Sequence, residues 1–166
     1  MMKHVSMRVS VLAAAALILL AHTAARTAPG DVKASFDIPC NHPSGLASDG
    51  TDLYLADWQS ATIYVLSPAD GTVLRSFAAP TLKPHGLTFG MDHLFISDDH
   101  TGFVYALNLG TGIVDYTFQA PGSIATGLAF GNGRLFILER SSKKIYTVIP
   151  EDGTILSYID TPDNAC

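Results

Sequence analysis

The sequence predicts an all-β chain of three four-stranded antiparallel units in tandem, and three observations carry that prediction. The first is a repeat of 41 residues, which links Gly30, Gly71, Gly112 and Gly153, then Phe36, Phe77, Phe118 and Ile159, then Pro39, Pro80, Pro121 and Pro162. The same interval joins Gly45, Gly86 and Gly127, Leu46, Leu87 and Leu128, and Tyr64, Tyr105 and Tyr146, with no insertion or deletion. The second is that each period holds short β-type runs separated by turn residues. The third is that no stretch beyond the N-terminal leader carries a helical hydrophobic period. Four short strands in a period of about 40 residues make the blade of a β-propeller.

The leader comes first. Lys3, His4 and Arg8 give a positive start, Val9 to Ala21 is apolar, and small residues follow through Ala25. That order is a secretory signal peptide over 1–25, with the repeat domain over 26–166. A membrane-spanning helix would need roughly 20 apolar residues, and His22 and Arg26 interrupt this run, so a retained anchor is the lesser reading and no span is expected after cleavage. The expected location is secreted or periplasmic.

Within the first copy, strand A is read as 45–48, strand B as 53–56, strand C as 62–67 and strand D as 72–77. Asp49-Gly50 and Pro68-Ala69-Asp70-Gly71 supply the hairpins, since Gly tolerates positive φ and Pro presets the opening angle. An extra D-like strand is expected at the N-terminus over 30–36, and 160–166 starts a fourth copy.

The run P-x-G-L-A-x-D-G-x-x-L-Y-L-A-D-x-x-x-x-x-I-Y-x-L-x-P-x-D-G-x-V over 43–73 resembles blades of the superfamily that holds NHL and YVTN repeats, virginiamycin B lyase-like proteins and the gluconolactonase/regucalcin-like lactonases. The resemblance implies a propeller, which in those families has six or seven blades. It does not imply one activity, because such families share blade grammar while doing unrelated things. Three blades cannot close a ring, so the chain is expected to be a partial propeller, half of a six-bladed homodimer, or a module that another chain completes. A truncated fragment without independent activity is the other possibility. Cys166 falls at the position of Pro43 in a fourth copy, three places from Cys40. In a two-chain ring this favours an intermolecular disulfide; two free thiols or an intrachain bond are the alternatives.

Composition narrows the partners. The chain is 48% hydrophobic and 15% charged, a balance that folds, and its 10 Lys and Arg against 15 Asp and Glu argue against a nucleic-acid partner. Blade geometry sends the D-to-A links and B-to-C loops to one face. There stand His42, Lys83 and His85 from the links, and Asp57, Trp58, Asp98, Asp99, His100, Glu139 and Arg140 from the loops, while His93 goes to the opposite face. Asp57, Asp98 and Glu139 share one repeat position, which favours turn-making carboxylates. Departures from the repeat are better functional candidates, chief among them His85, where the other copies have Ser44 and Thr126.

Two function classes follow. One is a non-enzymatic exported module that binds a protein, peptide or glycan through His42, Trp58, Lys83, His85, Asp99, His100 and Arg140, and the repeated, turn-like polar residues favour it. The other is a metal-dependent lactonase, hydrolase or lyase, with His85, His42 and His100 as ligands of a divalent ion. Motifs for a nucleophilic serine, a zincin, a phosphate loop or an EF-hand are absent from the sequence, and no catalytic residue is assigned.

Overall fold

The computed structural model describes residues 30–162. The chain divides into two units, residues 1–33 and 34–166, and every strand lies in the second. Twelve strands and no helix are found among the described residues.

Blade 1 is β1 (Pro43–Ser48), β2 (Leu53–Asp57), β3 (Thr62–Leu66) and β4 (Val73–Ala78). Blade 2 is β5 (Pro84–Gly90), β6 (His93–Asp98), β7 (Phe103–Asn108) and β8 (Ile113–Gln119). Blade 3 is β9 (Ala125–Gly131), β10 (Arg134–Glu139), β11 (Lys144–Val148) and β12 (Ile155–Asp160). Each sheet pairs its four strands in sequence order, all antiparallel, and the first strands lie side by side, β1 against β5 and β5 against β9. This is the expected propeller-blade arrangement, with the three sheets left unclosed.

The expected N-terminal strand over 30–36 does not form; among the described residues no strand precedes Pro43. It would have been the outer strand of a further blade, and with no third strand of that blade among the described residues, its N–H and C=O groups have no ladder there to join. Phe36 still takes the place that such a strand would give it: a Cβ added to Gly71 would lie 2.2 Å from its ring.

The core lies between blades. Tyr54, Ile63 and Val65 of blade 1 close on Leu87, Leu94 and Ile96 of blade 2. Phe95, Val104 and Phe118 of blade 2 close on Leu135, Ile137 and Val148 of blade 3. Strand alternation makes this possible, because each blade presents one apolar row to either side. The inner strands approach closely: a Cβ on Gly45 would sit 2.2 Å from the carbonyl oxygen of His85, which is why the position is glycine.

Candidate functional site

The carboxylates that recur after each second strand hold the loops. Asp57 Oδ1 accepts the amides of Gln59 at 2.9 Å and Ser60 at 3.3 Å. Asp98 Oδ1 accepts those of His100 at 2.7 Å and Thr101 at 2.9 Å, and its Oδ2 accepts the Thr81 hydroxyl. Glu139, fully buried, accepts the Ser141 hydroxyl at 2.6 Å and the amides of Ser142 at 2.6 Å, Ile124 at 3.1 Å and Ser141 at 3.2 Å. Burial alone would raise its pKa, but the donors from Ser141 and Ser142 outweigh it and hold the carboxyl at about 2. Asp57 and Asp98 are lowered in the same way, burial opposing and the loop donors prevailing. These three are loop-makers, as their shared repeat position suggested.

The loops they build bring the other candidates together. Trp58 follows Asp57, and Asp99 and His100 follow Asp98, while Lys83 and His85 come from the link into β5. All five line one cavity of about 320 Å³. The Lys83 ammonium stands 4.3 Å from the centroid of the Trp58 indole, a cation–π contact. His85 donates from Nδ1 to the carbonyl oxygen of Thr126 at 3.0 Å, a bond that fixes the tautomer, because a carbonyl only accepts. It thus ties blade 2 to blade 3 as Ser44, its counterpart, ties blade 1 to blade 2 through the carbonyl oxygen of Pro84 at 2.8 Å. In the neutral ring Nε2 is left as an acceptor.

His42 lies beside this cavity rather than in it. Its ring meets Trp58 edge to face at 5.4 Å, and it lines a neighbouring cavity of about 420 Å³ with Cys40, Asp57 and Tyr64. Among the described residues no three His, Cys, Asp or Glu side chains are grouped as metal ligands; His85 and His100 share a cavity without His42. Arg140 is exposed and is not among the residues lining either cavity. Cys40 is free among the described residues, its thiol pKa raised by burial and by the nearby Asp57 charge, and Cys166 lies outside them. His93 bonds Asp115 at 2.8 Å.

Sequence reasoning missed Thr81, which anchors the link bearing Lys83 to Asp98. A signal was present, since Thr81 stands where the other copies have Cys40 and Gly122. It also missed the carbonyl of Thr126, a backbone group that side-chain reading does not reveal.

The chain matches no protein-family profile and no curated protein sequence. Its fold has solved counterparts. Glutaminyl cyclase from Myxococcus xanthus is similar at a TM-score of 0.64 and 22% identity, over 72% of this chain and 53% of that one. The computationally designed Ika4 protein is similar at 0.56 and 18%, over 80% of this chain and 82% of that one. Hydrazine synthase from Kuenenia stuttgartiensis is similar at 0.60 and 11%, over 81% and 40%. The chain therefore spans about half of the cyclase and less of the synthase. At these identities the likeness is one of fold, and the narrower superfamily suggested by the blade motif has no counterpart among these matches.

Proposed function

We propose that this chain is an exported binding module whose loop face holds a peptide or glycan through an acidic group. One observation carries the reading: five side chains from two loops and a link, spread over slightly more than one repeat in sequence, converge on one cavity of about 320 Å³. The Lys83 ammonium is the full positive charge of that cavity. Half-buried on the indole face, it sheds part of its hydration before a ligand arrives and so meets an anion at lower desolvation cost. The two imidazoles donate or accept hydrogen bonds, and Asp99 rejects an anion placed out of register. This is a polar, partly open site, suited to a surface-bound ligand.

Trp58 is the only tryptophan of the chain, so its emission reports on the cavity directly. Titration with matched acidic, neutral and basic peptides and oligosaccharides is expected to give a saturable change for an acidic member. Lys83→Ala weakens that binding by about tenfold or more, the scale of a charge-assisted hydrogen bond, while Arg140→Ala leaves it unchanged. No saturable response from any member of the panel would refute the proposal.

A further inference from the structure

The two internal blade junctions draw on the same register positions. Tyr54, Ile63 and Phe77 belong to the row that blade 1 turns toward blade 2, and Phe95, Val104 and Phe118 to the row that blade 2 turns toward blade 3. The same register positions in blade 3 are Phe136, Ile145 and Ile159. Tyr54 is 2% exposed and Phe95, Ile63 and Val104 are 0%, yet Ile159 is 63% exposed. Phe136, Leu138 and Ile145 instead line an open apolar trough of about 480 Å³. At the other end of the stack the opposite row is open only at its innermost position, since Leu55 at 6% and Leu66 at 1% exposure are already covered within the chain. Leu46 of blade 1 is 61% exposed, whereas its register mate Leu87 is 4% exposed at the junction. The chain thus carries, one at each end, the two complementary halves of a junction that it makes twice within itself.

The geometry points to a second copy of this chain as the occupant, the Phe136–Ile145 face of blade 3 closing on the Leu46 face of blade 1 in the partner, and the reverse by a two-fold axis. Blade arithmetic selects two copies: propellers close with four to eight blades, two copies supply six and three would supply nine. One group must move. Phe36 is seated on Gly71 as Phe118 is seated on Gly153, with ring atoms 2.2 Å and 2.3 Å from the Cβ each glycine lacks. Ile159 is the register mate of Phe118, so in the dimer the partner's Ile159 takes this seat and Phe36 leaves it. The inference is independent of what the loop-face cavity binds.

The purified product of the full chain is expected to show twice its mass-spectrometric monomer mass by light scattering after size exclusion. Leu46→Lys and Ile159→Lys, both at positions exposed in the single chain, each weaken the dimer by about 100-fold or more, since either places an ammonium in an apolar junction. Circular dichroism of both variants stays that of the parent at dilutions where all are monomeric. Phe36→Ala leaves the dimer intact or tightens it. A monomer at tens of micromolar, a closed or open assembly of more than two copies, insensitivity to both lysines, or loss of the dimer in Phe36→Ala would each overturn the inference.

Discussion

The junction between blades 1 and 2 and the junction between blades 2 and 3 descend from the same repeat, yet they close unequally. At the second, Phe118 is 6% exposed and seated on Gly153. Its neighbours Phe95 and Phe130 stack with centroids 6.1 Å apart and planes 8° from parallel. At the first, Phe77 stays half-buried under the Arg75 guanidinium, 5.7 Å above its ring. Nothing lies within 4 Å of the missing Cβ of Gly112, and a cavity of about 380 Å³ opens among Phe77, Leu107, Leu109 and Val114. The difference accompanies a local change in turn chemistry. Blades 1 and 3 turn through Pro-x-Asp-Gly, where Asp70 and Asp152 accept the amides of Thr72 and Thr154. Blade 2 turns through Leu109-Gly110-Thr111-Gly112, capped instead from Asn108, which accepts the amides of Gly110 and Thr111. An aromatic at the right register is therefore not enough; it also needs the turn that makes its seat.

The sharpest test of that contrast is a pair of truncations. Phe118→Ala is expected to cost about 3–5 kcal/mol, as for a buried aromatic whose neighbours cannot collapse, and Phe77→Ala about 1–2 kcal/mol because its ring already borders a void. Equal losses in urea unfolding would show the two junctions to be equivalent.

The links between blades supply a second, smaller contrast. Glu139 grips the link ahead of β9 through the Ile124 amide, while Asp57 accepts from Gln59 and Ser60 of its own loop. With its folded pKa held below its unfolded value, at about 2, Glu139 contributes stability that is fully present above the unfolded pKa, near 4.5, and is lost as pH falls toward 2. The shift corresponds to about 3 kcal/mol at most, and Glu139→Gln should flatten the decline in stability between pH 5 and 2. Asp57→Asn should flatten it less. A Glu139→Gln profile parallel to that of the parent would remove the link from this account.

The smallest effect concerns the first hairpin of blades 2 and 3. Both pass through two left-handed residues, Met91 and Asp92 at φ of 51° and 60°, and Asn132 and Gly133 at 52° and 68°. Asn-Gly accepts that turn without strain and Met-Asp does not. Replacing Met91-Asp92 by Asn-Gly is expected to raise stability by about 1 kcal/mol, read as a shift in denaturation midpoint without a change in slope. A loss would mean that the Met91 side chain contributes more than its backbone costs.

The repeat made most of the fold legible. Strands read over 45–48, 53–56, 62–67 and 72–77 form over 43–48, 53–57, 62–66 and 73–78, because alternation and turn residues act within a few residues of each other. The absent strand over 30–36 was illegible for the opposite reason: its residues suit a strand, but strand formation depends on a neighbour that local pattern does not supply. The site followed similarly. Trp58, Lys83, His85, Asp99 and His100 meet because blade geometry sends their links and loops to one face. Arg140 shares the repeat position of Trp58 and Asp99 but belongs to blade 3 and is not among the residues lining the cavity they share. The unequal seating of Phe77 and Phe118 depends on packing between repeats, which spacing within a repeat leaves open.

Each sheet here contains only strands that follow one another along the chain, joined by short turns. Ordering a blade then requires closing only short loops, with a small entropic barrier for a β protein, and a formed blade offers its neighbour a template. Folding should therefore propagate from blade to blade. Destabilising substitutions in blade 3 should speed unfolding at that end while leaving the earliest folding phase of blade 1 unchanged.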